Sequence, residues 1–345
     1  MSVKLKPLHR QVIVITGASS GIGLVTARQA AAQGASVVLV ARNEEALQQA
    51  ADEITAAGGE AMCLVADVAN RADLQKVADE TIARFGRFDT WVNNAGVSIW
   101  GRLQEVSDED HRRLFDTNFW GLVYGSMIAT AHFKQQGGGA LVNVGSVASD
   151  MALPLQGMYS ATKHAVKGFT DALRIELKEE GAPVSVTLIK PSAIDTPFPH
   201  HAKNYTDREP KLPAPVYPPE EVAHAILYAA VHGGRDIFVG AAGKIMSLVN
   251  KNMPRLMDWG ASQSSGQQLS QEAPRQPDGA LHHAGTDGHV RGGHPGYVMG
   301  SSAYTRASLR PVLTGAVLGL IGAAVLRLTK GDRGEFDFLP RGRTW

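Results

Sequence analysis

A single cysteine, Cys63, stands among 345 residues, which excludes an internal disulfide framework and a cysteine-based zinc cluster. Charge of one sign is also missing. The 34 Lys and Arg balance 33 Asp and Glu, a net +1, and without clustered basic charge no nucleic-acid partner is expected. The opening MSVKLKPLHRQ lacks the apolar core of a secretory leader, so a cytoplasmic location is the expectation. Near the C-terminus an uncharged apolar stretch, 312–326, runs only fifteen residues between Arg310 and Arg327. As a helix it would reach about 22 Å, short of the ~30 Å hydrocarbon core of a bilayer. What is present is ordinary globular material: 44% hydrophobic and 19% charged residues, enough to bury a sizeable core.

Up to residue 260, short apolar runs alternate with amphipathic stretches. QVIVIT (11–16), ASVVLV (35–40), AMCLVA (61–66), FDTWVN (88–93), ALVNVG (140–145), VSVTLIK (184–190) and RDIFVG (235–240) are predicted strands. They are rich in β-branched residues and lack polar alternation, the pattern of strands covered on both faces of a parallel sheet. Cys63 falls in the third run and reads as a small buried hydrophobe. Helical patterns occupy 21–33, 44–57, 71–85, 108–136, 157–180 and 220–231. Strand then helix, repeated, predicts an α/β fold: a Rossmann-type doubly wound parallel sheet in a single domain, 1–259, with a C-terminal extension.

Two segments break that rhythm. The proline-rich stretch 197–219 follows the sixth strand, at the sheet end where ligands bind in such folds, and is expected to be a mobile substrate lid. Residues 260–303 are dominated by Gly, Ser, Gln, Pro and His. They lack the apolar surface to offset their ordering entropy and are expected to form a disordered linker with solvated histidines. A basic tail, 304–345, follows. Its Gly315 and Gly319 form a GxxxG pair that permits close helix contact in lipid. From Arg306 onward seven basic and three acidic side chains leave a net +4, suited to an anionic membrane surface. For 312–326 a membrane anchor, a buried docking helix and a dimer contact all remain open.

The first strand runs into Thr16-Gly17-Ala18-Ser19-Ser20-Gly21-Ile22-Gly23 and then an Ala-rich helix. The spacing is G-x-x-x-G-x-G, yet its logic is that of a dinucleotide loop: Gly17 for a tight turn, Gly21 for approach to a pyrophosphate, and Gly23 for close helix packing. The helix N-terminus adds amide donors and a positive dipole end. Discrimination between the two dinucleotides usually rests on a carboxylate about twenty residues on, which binds a ribose 2′-hydroxyl. Here the second strand ends Leu39-Val40-Ala41-Arg42-Asn43, with no acid at its tip. Arg42 would attract a 2′-phosphate and can stack on adenine, so NADP(H) is expected over NAD(H).

Tyr159 and Lys163 lie four apart on a predicted helix, hence on one face. A nearby ammonium, with the positive charge of an oxidised nicotinamide, would favour the phenolate and lower a pKa that otherwise sits near 10. Ser146, just past the strand 140–145, can hydrogen-bond a substrate oxygen, and Asn118 could hold a water linking Lys163 to solvent.

These residues together resemble the short-chain dehydrogenase/reductase family. The resemblance is carried by TGASSGIG (16–23), Asp67 in ADV, NNAG (93–96), Asn118, Ser146 and YSATK (159–163), in the family's order across 8–240. It implies a catalytic set of Ser146, Tyr159, Lys163 and Asn118, with Tyr159 protonating a carbonyl oxygen and Lys163 binding the nicotinamide ribose. It further implies coenzyme contacts from Thr16, Gly17, Ser19, Ser20, Gly21, Ile22 and Gly23, with Asp67 and Val68 at the adenine. Asn94, Ala95 and Gly96 would lie by the ribose, and Pro191, Ile194 and Thr196 by the carboxamide. A homodimer or homotetramer built on the helices of Asn118 and Tyr159 is also implied. One departure stands out: Ser192 follows Pro191 where the family usually has glycine.

Trp100, Met151, Leu153, Leu155, Met158 and Phe198 fall near the inferred catalytic end. An apolar pocket there would favour a lipophilic carbonyl or alcohol; the alternative is that these side chains pack core or a dimer face. The activity expected is hydride transfer between NADP(H) and such a substrate. A non-catalytic NADP(H) sensor or scaffold is the rival, although it would have no need of all four catalytic residues. A sugar-nucleotide epimerase or dehydratase shares Tyr-x-x-x-Lys but typically has a differently spaced glycine loop and a larger C-terminal domain.

Overall fold

Seven parallel strands form the centre of the protein, in the computed structural model that describes residues 3–285, 288–310 and 314. They are β1 (Val12–Thr16), β2 (Ser36–Ala41), β3 (Glu60–Val65), β4 (Thr90–Asn93), β5 (Gly139–Val144), β6 (Val184–Pro191) and β7 (Asp236–Val239). Their order across the sheet is β7-β6-β5-β4-β1-β2-β3. The direction of winding reverses between β1 and β4, and the crevice beyond the carboxyl ends of those two strands is where such a sheet binds ligands.

The helices that join the strands are α1 (Gly21–Ala32), α2 (Glu44–Ala56), α3 (Arg71–Phe85), α4 (Asp108–Phe115), α5 (Gly121–Gln136), α6 (Gly157–Glu179) and α7 (Pro219–His232). Local chemistry sets several ends: Asn43, Asn70 and Ser107 accept amide hydrogen bonds at the starts of α2, α3 and α4, leaving fewer orphan donors there. Alternate residues of the central strands face opposite helix layers. Val12, Val14, Val38 and Val40 join one buried cluster with Leu74 and Val77 of α3, Phe133 of α5, and Leu173 and Leu177 of α6. Between α4 and α5 a single π-helical turn, Asp116–Trp120, carries Asn118.

Cys63 departs from expectation. β3 is the edge strand and is covered only in part, so Cys63 is half-buried and its thiol donates to Gln48 Oε1 at 3.4 Å.

The segment 197–219 is tied down by two-residue ladders, Val216–Tyr217 on Ala193–Ile194 and Lys203–Asn204 on Ile99–Trp100. Beyond β7 the chain forms α8 (Ala241–Asn252) and α9 (Pro254–Ser264), and then departs from the expectation of a disordered linker. Residues 268–302, apart from 286–287, lie packed on the body. Ala280 and Leu281 are buried at 4% and 0% exposure. Lys211 and Glu209 donate their amides to Gln268 and Glu272, and Arg291 pairs with Glu220 at 2.8 Å. Composition misled because it counts apolar side chains, whereas this segment is held mainly through its carbonyl oxygens on cations and amides of the body. Among the described residues no helix is long and apolar enough to cross a membrane. The stretch 312–326 lies outside them, except for Thr314.

Candidate active site

The loops after β1 and β4 are built as one piece. The Thr16 hydroxyl donates to the Val92 carbonyl at 3.2 Å and accepts the Asn94 and Ala95 amides at 3.0 and 3.1 Å. Asn94 Nδ2 donates back to the carbonyls of Thr16 and Gly17 at 2.9 and 3.2 Å. Glycine is required in this contact. Gly17 has φ +67°, and a methyl there would come 2.8 Å from Ala95 Cα. A methyl on Gly23 would lie 2.1 Å from the Gly17 carbonyl oxygen. The first turn of α1 therefore sits directly against the loop, and its Ser20 N-cap makes no side-chain cap bond.

At the tip of β2, Arg42 faces Asp67 and Arg113. Burial draws its guanidinium below the ordinary value, against the opposing charge of Asp67. Asp67 Oδ2 accepts Arg113 at 2.6 Å and its Oδ1 accepts the Ala69 amide at 3.0 Å.

Spaced four apart, about one helical turn, Tyr159 and Lys163 of α6 come together on one face at the other end of the crevice. Lys163 Nζ lies 5.7 Å from the centre of the Tyr159 ring and donates to the Val144 carbonyl at 3.0 Å. The Ser146 side chain stands by the Tyr159 hydroxyl and favours its ionised form. Both members of the pair are deeply buried, and burial dominates their titration. It pushes Tyr159 up to about 12, with Ser146 opposing, and Lys163 down to about 8. Among the protein's own groups desolvation therefore sets the phenol, in place of the lowering expected from the ammonium. Asn118 stands behind them. Its Oδ1 accepts the Val97 amide at 2.9 Å, and its Nδ2 donates to the Val97 carbonyl at 2.9 Å and to Thr162 Oγ1 at 3.2 Å.

One cavity of about 560 Å³ joins the two ends. Every residue assigned from the sequence lines it except Thr16, Gly23 and Asn118, which act on its walls from behind. Of the expected apolar set, Trp100, Met151, Leu153 and Phe198 line it; Leu155 and Met158 do not. Sequence reasoning missed Leu212, Pro213, Met246 and Met257, the last on α9, a helix that crosses the expected domain boundary at 260; Pro254 at the start of that helix was the available signal. Ser192 is accommodated by its neighbours. Its hydroxyl donates to the Val239 carbonyl at 2.8 Å, in space that a methyl on Gly240 or Gly243 would fill at 2.6 Å from Ser192 Oγ.

A cavity that runs from a half-buried guanidinium past a glycine cradle to a buried phenol and ammonium fits an extended dinucleotide. The family profile for short chain dehydrogenases matches residues 11–206. The chain belongs to the short-chain dehydrogenase/reductase family. Among its relatives in this family, the oxidoreductase YxnA of Bacillus subtilis (strain 168) is 47% identical over 330 residues, covering 94% of this chain and 93% of that protein. An 11-beta-hydroxysteroid dehydrogenase A of Sesamum indicum is 34% identical over 260 residues, 72% of this chain and 74% of that one. A short-chain dehydrogenase/reductase from Burkholderia phymatum, solved in complex with NAD, superposes with a TM-score of 0.66 at 27% identity, covering 74% of this chain and 96% of its own. An alcohol dehydrogenase from Thermococcus sibiricus, solved with 5-hydroxy-NADP, gives 0.59 at 26% identity over 66% and 95%. As a short-chain dehydrogenase/reductase this protein is an oxidoreductase whose fold binds NAD or NADP.

Proposed function

We propose that this short-chain dehydrogenase/reductase is an NADP(H)-dependent reductase, or reversible alcohol dehydrogenase, of a lipophilic carbonyl or alcohol, with Tyr159 as its acid/base. The observation that carries the reading is the Ser146–Tyr159 hydroxyl pair beside Lys163, at one end of a cavity whose other end holds Arg42.

The residues divide the work by position. Arg42 would take the 2′-phosphate, Gly17, Gly21 and the start of α1 the pyrophosphate, and Ile194 and Thr196 the carboxamide. When bound, the coenzyme gives hydride to the carbonyl carbon or takes it from the alcohol. Ser146 and Tyr159 present two adjacent hydroxyls to one substrate oxygen. Tyr159 holds its proton at neutral pH, the form required to protonate that oxygen in reduction. Lys163, held by Val144, is a cation at neutral pH and stabilises the phenolate as it forms, in a site where burial strengthens the attraction. Asn118 fixes the loop at Val97 and the helix at Thr162 around this group.

Substrate class follows from the far wall, where Trp100, Met151, Leu212 and Met246 offer apolar surface. The naming of the sesame relative for a hydroxysteroid points the same way. A panel of carbonyls of graded size, followed by NADPH absorbance, tests the reading. Turnover that rises with apolar bulk is expected; no turnover across the panel, or confinement to small charged carbonyls, would overturn it.

A homodimer or homotetramer is part of the same proposal. Trp120 and Met127 of the Asn118 helix region are 44% and 48% exposed, apolar surface that a second copy would cover. Light scattering on the purified chain should return an assembly of two or four; a monomer at working concentration would contradict it. Membrane association through 312–326 is tested by fractionation with and without 260–345.

A further inference from the structure

Gln156 puts a carboxamide among the apolar residues Trp100, Met151, Leu153 and Phe198 that line the cavity. It is 5% exposed and stands three residues before Tyr159. Although it directly precedes the first residue of α6, its side chain makes no cap hydrogen bond to that helix. Its Nε2 donates instead to Ser98 Oγ at 2.9 Å, and among the described residues no group donates to its Oε1. A buried carboxamide with an unmet acceptor is costly to keep.

The loop that delivers this side chain is held under strain. Leu155 has φ +63°, the one positive value at a non-glycine residue among the described residues, in a region that side chains with a Cβ seldom adopt. Its carbonyl accepts the Gly101 amide at 2.8 Å, and the Pro154 carbonyl accepts Gln268 Nε2 at 3.0 Å. The Leu153 amide donates to Ser160 Oγ at 3.0 Å, and the Gln156 amide to the Leu153 carbonyl at 3.1 Å. These bonds fix the backbone, and Ser98 then fixes the carboxamide. A packing role would be met by an apolar side chain of the same length, without the desolvation of an amide.

We propose that Gln156 is a specificity-determining residue that accepts a hydrogen bond from a hydroxyl of the substrate. The preferred substrate is then a lipophilic carbonyl that bears a hydroxyl away from the reacting carbon. This rests on the reading of Tyr159 as the acid that meets the carbonyl oxygen. The three-residue offset makes Gln156 and Tyr159 neighbours at the start of α6, so one ligand can touch both. With such a substrate Oε1 gains the donor that the protein does not provide. An analogue without the hydroxyl leaves Oε1 against hydrocarbon, and a site built to bind a hydroxyl rejects that analogue through the unpaired group. Coenzyme affinity enters both cases alike and cancels from the comparison.

The test uses the full chain with NADPH and matched ketones on the largest carbon skeleton that the wild type reduces, with and without one ring hydroxyl. In the bicyclic case these are 1-decalone and the hydroxydecalones. The readout is the ratio of kcat/KM for each hydroxyketone to that for its parent, in wild type, Gln156→Met and Ser98→Ala. Wild type should favour at least one hydroxyketone on the order of tenfold, the scale of one buried hydrogen bond. The ratio should fall to about one in Gln156→Met, and part of the way in Ser98→Ala, which frees the carboxamide. A calorimetric NADPH Kd on each protein checks that the coenzyme site is intact. If Gln156→Met no longer binds NADPH, Ser98→Ala decides. A wild type that favours none of the hydroxyketones would overturn the proposal, as would the wild-type ratio persisting in the deciding variant. A wild type that reduces no ketone at all is a separate result: it refutes the reductase reading beneath the proposal, and it is seen before any variant is made.

Discussion

Lys163 Nζ stands 5.7 Å from the centre of the Tyr159 ring, with both side chains shut away from solvent and the ammonium tied to the Val144 carbonyl. Charge at that point is costly to hold and valuable to use. Burial brings Lys163 down to about 8, so its cation begins to disappear just above neutrality. The kcat/KM for NADPH-dependent carbonyl reduction should fall as pH rises through about 8, a decline read from initial rates between pH 6 and 10. A rate that is flat across that range would separate Lys163 from the chemistry.

The same shift has a stability consequence of opposite sign. Lys163 titrates at about 8 in the folded protein and near 10.5 when unfolded. Between those values the unfolded chain holds more protons, so stability contributed at this site rises with pH across that window, by up to about 3 kcal/mol. Lys163→Met should flatten that rise in denaturant titrations at pH 8 and pH 10. An equal rise in the variant would place its origin elsewhere.

Arg42 carries the coenzyme preference in this account. Arg42→Ala should weaken NADPH roughly 10- to 100-fold, the scale of lost hydrogen bonds to a charged group, and leave NADH nearly unchanged. Calorimetric Kd values for the two coenzymes check it. Equal weakening of both would assign Arg42 to adenine stacking alone.

Asp110 joins His282 of the extension to Lys203 and Tyr205. Burial alone would raise its carboxyl, but hydrogen bonds from Tyr205, His282 and Lys203 overcome that and bring it down to about 2 from an ordinary 3.8. Its stabilising contribution is complete above pH 3.8 and is lost as pH falls through about 2; the full amount is about 2 kcal/mol. Asp110→Asn should therefore flatten the acid limb of the stability curve between pH 4 and pH 2, measured by urea midpoints. An unaltered slope would show that other carboxylates set it.

Most of the sheet was legible because its signals are local. Runs such as VIVIT at β1 and SVVLVA at β2 are buried on both faces and read as strands at once, and the loop from Thr16 to Gly23 sits between strand and helix as its glycines require. Ser146, Tyr159 and Lys163 were legible for a related reason: one strand end and one helix face suffice to bring them together. The extension was not. Ala280, Leu281 and His282 are held by Arg42, Arg113 and Asp110, more than 160 positions away, and no composition window registers acceptors that a distant guanidinium supplies. Cys63 was misjudged for want of strand order, since nothing in EAMCLV marks β3 as an edge. The π-helical turn at Asn118 was likewise hidden inside an unbroken helical pattern.

The central claim is that Tyr159 delivers the proton, and comparison of Tyr159→Phe with wild type tests it most directly. With a carbonyl that the wild type reduces, kcat/KM should drop about 10²- to 10⁴-fold, while the calorimetric NADPH Kd stays within about twofold because binding draws on the far end of the cavity. Full turnover in Tyr159→Phe, with coenzyme still bound, would contradict the account.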